Sequence, residues 1–168
     1  MILAVDVHYR QCSATAAGVL FAHWQDAAAE RELVTEIQGI EDYQPGQFYK
    51  RELPCILQLI AAFDLRPQVI VIDGLVYLNG ATQPGMGCHL YEAFERSVAV
   101  VGVAKKRFRT LPESYALLRG GSKRPLYVTA AGMSLESARA RILSMHGPNR
   151  MPLLLKRVDQ LSRGIADA

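Results

Sequence analysis

The run "PQVIVIDG" (residues 67–74) limits the architectures open to this chain more than any other segment. Val69, Ile70, Val71 and Ile72 are consecutive and β-branched, with Pro67 before them and Gly74 after. A strand apolar at every position must be covered on both faces, as the central strands of an α/β sheet are. It ends in a carboxylate, Asp73. A lone acid at a strand end is ordinarily a turn or capping residue, so its meaning depends on whether other acids reach the same point.

The flanking segments supply the rest of an α/β domain. "MILAVDVHYR" reads as a buried strand, and a turn at residues 11–13 leads into a second, "ATAAGVLFAHW". "ERELVTEIQGI" alternates near its middle and suits a half-exposed third strand. Short connections favour an antiparallel meander. "YKRELPCILQLIAAF" has helical spacing, and Pro54 predicts a start near Glu52 or Leu53, where a proline is tolerated. After "QVIVIDG", a Gly-rich loop precedes a helix over "CHLYEAFER". "SVAVVGVAKKR" is a buried strand running into lysines, and "RPLYVTAAG" is a last strand. "SLESARARILSM" is expected as the final helix, with Ser134 as its N-cap. Residues 108–123 read as loop-rich. The whole, residues 1–168, is expected to form one domain.

Charge is unevenly distributed. Residues 100–168 hold 13 of the 19 Lys/Arg and 4 of the 16 Asp/Glu, a balance of +9, against −6 for residues 1–99. Such a split suits a protein whose acids hold a cation while its bases face phosphates, although solvated surface gives the same tally. No apolar run approaches the ~20 residues of a membrane span. Cys12, Cys55 and Cys88 lack paired zinc spacing, and their odd number argues against a disulfide framework. With no signal-peptide pattern at the start, a reducing cytoplasmic compartment is expected.

Asp6 lies inside the first strand, where an uncompensated acid is costly. If that strand neighbours "VIVID", then Asp6 and Asp73 face each other and Glu52 can reach them from the intervening helix. Three such carboxylates repel unless they hold a hard divalent cation, which suits Mg²⁺ with Mn²⁺ as its substitute. Such a site favours phosphodiester hydrolysis, with Lys105 placed to meet developing phosphate charge. Taken singly, each residue also has an ordinary reading: a strand-end turn for Asp73, surface for Glu52, a solvated edge for Lys105 and Lys106. His89 and His146 read as packing or surface residues.

The order and wording of these segments resemble endonuclease V. The carriers are "VDVHY" in the first strand, "YQPGQFYKRE" (residues 43–52), "VIDG", "GVAKK" (residues 102–106) and "PLYVTAAGMSLESA". Together they span about residues 4–164. The resemblance implies a ribonuclease-H-like mixed sheet, three antiparallel strands followed by parallel ones, flanked by helices. It also implies a Mg²⁺-dependent endonuclease acting on inosine or another deaminated purine in DNA or RNA, nicking one nucleotide 3′ of the lesion. Asp6, Glu52 and Asp73 would be the metal ligands and Lys105 the phosphate-side residue. Tyr43, Pro45 and Gly46 would match the wedge that fills the space of the departed base. Gly74, Gly85, Gly87 and Lys106 would contact the substrate.

The chain departs from the family at two places. Residues 75–80 read "LVYLNG" where the family has a histidine-containing "HGxxHPR" stretch. Ala130 and Ala131 stand where the family has a Gly-His pair near the metal. A monomer acting without a membrane is expected. The rival readings are a nucleic-acid-binding module that no longer cuts, and a nuclease with a different structural preference.

Overall fold

The computed structural model describes residues 1–40, 45 and 49–165. Strand β1 (Ile2–Tyr9) turns tightly into β2 (Ser13–Phe21), the Arg10 N–H donating to the Ser13 carbonyl at 2.8 Å. Strand β3 (Arg31–Gln38) completes an antiparallel meander, its exposed residues alternating with buried Leu33 and Ile37. Helix α1 (Tyr49–Ala62) then crosses to β4 (Val69–Asp73), which lies parallel to β1. Helix α2 (Met86–Ala93) leads to β5 (Ala99–Ala104), parallel to β4. A 3₁₀ turn (Glu113–Tyr115) and the two-residue β6 (Ala116–Leu117) precede β7 (Leu126–Ala131). Helices α3 (Leu135–Ser144) and α4 (Leu153–Ser162) close the described chain. The sheet order is β3-β2-β1-β4-β5-β7-β6.

Period-2 alternation decides what each face buries. Leu3, Val5, Ile70 and Ile72 pack with Ile56 and Leu59 of α1 on one face. Ile2, Ala4, Val71, Val101 and Val103 pack with Ile142 of α3 and Leu154 and Val158 of α4 on the other. The continuous apolar character of β4 therefore follows from cover on both sides, each fully buried Ile or Leu contributing about 1.5–3 kcal/mol. Among the described residues no helix is long and apolar enough to cross a membrane.

The mixed sheet is as expected, three antiparallel strands followed by parallel β4 and β5, and the last long strand, β7, runs antiparallel to β5. Two expectations need correction. Helix α1 begins at Tyr49, leaving Pro54 in its second turn. Proline removes only the bond to the Lys50 carbonyl there, and both residues are exposed, so water can reach the freed acceptor. The helix of residues 134–145 is not the last. Its Ser134 cap is as expected, accepting from the Ser137 N–H at 3.1 Å. Helix α4 follows, its apolar Leu154, Leu155 and Val158 buried against β1 and β2.

Candidate active site

Strand parity and register bring the acids together. Asp6 continues the Ala4 face of β1, toward α4, and sits just beyond the last β1–β4 pair, Val5 with Ile72. Asp73 follows Ile72 on the adjacent strand and shares the side of Val71. Lys105 follows the end of β5 with the parity of Val101 and Val103. Its ammonium donates to Asp73 Oδ2 at 3.3 Å. Both side chains are about 40% exposed, so this ion pair contributes at most about 1 kcal/mol to stability. Its consequence is positional: a mobile lysine is held beside the acid.

Glu52 arrives from α1, which covers the opposite face of the sheet, and reaches over the strand ends. Burial pushes its carboxyl up to about 8, and the charges of Asp6 and Asp73 push the same way. Burial likewise pushes Asp6 up to about 7. Asp73 and Asp159 add to that, while a hydrogen bond from Ser162 opposes it. The mutual effects place the carboxylates within electrostatic reach of one another. Glu52 has no ion pair or hydrogen bond to any described residue. A charged carboxylate left this way is strongly disfavoured.

Helix α4 supplies what the sequence reading lacked. Ser162 is fully buried, and its hydroxyl lies 2.8 Å from Asp6 Oδ2 and 2.8 Å from the Asp159 carbonyl, joining β1 to the helix. Asp159, one turn earlier, lines the same cleft and pairs with Arg163 at 3.0 Å. The signal was present: Leu154, Leu155, Val158 and Leu161 keep helical spacing behind Pro152, the pattern of a docked amphipathic helix.

Arg150 sits behind Lys105. One of its guanidinium nitrogens donates to the Lys105 carbonyl at 2.6 Å and to the Pro125 carbonyl at 2.8 Å. The loop entering α4 is thereby tied to the end of β5. Arg119 similarly holds the carbonyls of Met145 and Asn149.

Two cavities meet at Asp73. A cleft of about 260 Å³ lies under α4, with Asp6, Asp73, Asp159, Lys105 and Lys156 on an otherwise apolar lining. A larger cavity of about 490 Å³ lies on the other side, lined by Glu52, Asp73, Gly74, Gly85 and Lys106, by Tyr49, His89 and Arg107, and by apolar residues around them. Gly74 adopts φ +144°, open to glycine alone. A Cβ on Gly85 would stand 2.5 Å from the Leu75 carbonyl oxygen, so this wall closes only around a glycine. Gly87 is different: it is buried against Val76 and Ile72 and does not line the cavity. Pro45 is exposed, while Tyr43 and Gly46 lie outside the described residues.

The position of Ala130 and Ala131 is also corrected. They pair with Val101 and Val100 at the start of β5, about 13 Å of strand from the end that carries Lys105. A side chain there would be at the wrong end of the sheet, because β7 runs antiparallel. The residues 75–80 loop is compact. Asn79 Oδ1 accepts from the N–H groups of Ala81, Thr82 and Gln83, and Thr110 ties Leu78 and Gln83 to the loop after β5.

Among the described residues, no group of three or more His, Cys, Asp or Glu is gathered as a ready metal cage. Asp6 is turned onto Ser162 and Asp73 onto Lys105. The donor chemistry nonetheless fits a hard cation: oxygen ligands only, two half-buried and one exposed, mutually repelling, and one of them without a partner among the described residues.

A mixed sheet whose parallel central strands deliver acids to their C-terminal ends, with helices on both faces, is the ribonuclease-H-like fold. The family profile of endonuclease V matches residues 1–160, and this chain belongs to that family of nucleases. Human ENDOV is 24% identical with a TM-score of 0.78, over 97% of this chain and 82% of that one. Endonuclease V from Streptomyces avermitilis is 25% identical with a TM-score of 0.78, over 97% and 79%. The Ciona intestinalis enzyme, solved with a 24mer DNA containing an inosine followed by a ribo-adenosine, is 21% identical. Its TM-score is 0.75 over 97% and 84%. A search of curated proteins gave no match.

Proposed function

We propose that this chain is a divalent-cation-dependent endonuclease, acting as one domain, that nicks a nucleic-acid strand just 3′ of inosine or a similarly deaminated base. The observation that carries this reading is that Asp6, Glu52 and Asp73 lie within electrostatic reach of one another, with Lys105 paired to Asp73, at the border of a cavity of about 490 Å³. The Ciona intestinalis relative crystallised with inosine-containing DNA supports the choice of base.

Asp6, Glu52 and Asp73 would hold the cation, Mg²⁺ or Mn²⁺, with Asp159 adjacent. A cation so bound supplies charge for the phosphate and a more acidic water. The remaining steps belong to the chain. The base leaves the stack and enters the cavity beside Gly74 and Gly85, where close backbone contact excludes bulk water. The "YQPG" segment fills the gap left behind, a role suited to an aromatic close to a proline. Lys105 swings its ammonium from Asp73 to the scissile phosphate as negative charge builds there. Lys106, on the cavity side, meets the neighbouring phosphate.

The test is a panel of strands carrying hypoxanthine, xanthine, uracil, a mismatch or a flap, in DNA and RNA, with Mg²⁺ or with EDTA. Mg²⁺-dependent nicking at hypoxanthine by wild type, lost in Asp73→Ala, is expected. Nicking that survives Asp73→Ala removes the assignment of the acids. Binding without nicking leaves a module that grips nucleic acid and does not cut it.

A further inference from the structure

Among the described residues that line the base cavity, two side chains are neutral and polar, Tyr49 and His89, and they are stacked on each other. Their ring centroids are 3.7 Å apart with an interplanar angle of 16°. The other described lining residues are glycine, apolar or charged. The charged ones are ill suited to reading a base. Asp73 and Glu52 face the carboxylate cluster, and Arg107 is paired with Glu113 at 2.9 Å and donates to the Leu111 carbonyl. Lys106 is a hydrated point charge that donates only.

The His89 imidazole makes no hydrogen bond to any described residue. It is half-buried, and burial holds it below the ordinary imidazole range. A neutral imidazole lining the cavity offers it one donor and one acceptor nitrogen. Tyr49, the first residue of α1, covers one face of the ring and limits its rotation. The other anchor is α2, whose second turn carries His89. Two helices thus fix the plane and direction of a group that has no hydrogen-bond partner among the described residues.

We propose that His89, clamped by Tyr49, is the residue that reads the polar edge of the extruded base, so that base preference in this chain resides in the Tyr49–His89 pair. The proposal rests on the reading of this cavity as the base site. Hypoxanthine presents a carbonyl oxygen and a ring N–H on one edge, and each can meet a neutral imidazole nitrogen. A purine lacking the oxygen offers less. One well-placed hydrogen bond to a base edge gives about 10-fold discrimination. Tyr49 is a positioning residue: it holds the imidazole and need not touch the base edge itself. Their pairing is not visible in sequence, since they stand 40 positions apart.

The experiment compares two strands, one with hypoxanthine and one with unsubstituted purine at the same position. Nicking is measured with Mg²⁺, and binding by fluorescence anisotropy in EDTA. Wild type is expected to favour hypoxanthine by about 10-fold or more. His89→Leu should bring the ratio near one, by losing hypoxanthine more than purine. His89→Gln, which keeps a donor and an acceptor, should restore part of the ratio. Tyr49→Phe should preserve it and Tyr49→Leu reduce it. Equal losses on both strands in His89→Leu would mean a structural role and overturn the proposal, as would a wild-type ratio of one. Absence of nicking with the binding ratio intact defeats the nuclease reading alone. A binding ratio that survives His89→Leu defeats this one.

Discussion

The cleft under α4 and the cavity beside the residues 75–80 loop share Asp73, yet they are built in opposite ways. The cleft is made by regular elements. β1, β4 and β5 present Asp6, Asp73 and Lys105 at their ends, and α4 locks Asp6 through Ser162. The cavity is made mostly by loops, held by a small core of Leu75, Ala104, Leu111 and Tyr127. The cleft draws its precision from a sheet whose central residues are fully buried. The cavity draws its shape from glycine contacts, the Asn79 turn and a few apolar anchors. On the function proposed above, chemistry would stand on the side built from regular elements and recognition on the side built from loops, the usual division between scaffold and loop.

The sharpest way to break this division is Asp73→Asn. Asp73 is exposed, so the fold should stand, with Tm within about 1 °C, while the nicking rate falls about 10³-fold or more, roughly 4 kcal/mol. An equal loss of Tm would make the acid structural. On the cavity side, Leu111→Ala removes a fully buried side chain from the small core. About 3 kcal/mol of stability should be lost, read from denaturant midpoints, and discrimination between hypoxanthine and undamaged bases should narrow. Unchanged discrimination would show that the loops hold their shape without this core.

Arg150→Met tests whether the α4 entry loop reaches the chemistry. Its hydrogen bond holds the carbonyl of Lys105, so kcat should fall about 10-fold with KM little changed, because a small displacement of an electrostatic group costs rate. A change confined to KM would place Arg150 in strand binding instead.

The smallest effect concerns protons. Asp6 and Glu52 both have carboxyls raised above their unfolded values, so the folded state binds more protons between about pH 4 and pH 7–8. In EDTA, stability should therefore fall as pH rises through that window, by about 1–2 kcal/mol once solvent screening is allowed for. Glu52→Gln should flatten the profile. A metal-free protein that gains stability up to pH 8 would show that the acids are already compensated.

Much of the fold was legible because its signals are local. Apolar continuity in "VIVID", alternation in residues 30–40 and the Ser134 cap all act over a few residues. Asp6, Asp73 and Lys105 were legible for a related reason: each ends or interrupts an apolar strand, where a charge is conspicuous. Asp159 and Ser162 lie on a helix beyond the one expected to be last, although its apolar spacing is there in the sequence. Ala130 and Ala131 were misplaced because nothing local states strand direction.

By itself, then, the sequence determined which segments are buried and which carboxylates are out of place in them. Only the tertiary structure decided how those acids meet. The direction of β7 put Ala131 at the far end of the sheet. The docking of α4 brought Asp159 and Ser162 to Asp6, across more than 150 residues of chain. The crossing of α1 and α2 stacked Tyr49 on His89. Each of these is a long-range packing choice, decided by how helices cover the two faces of one sheet, and no short window of residues contains it.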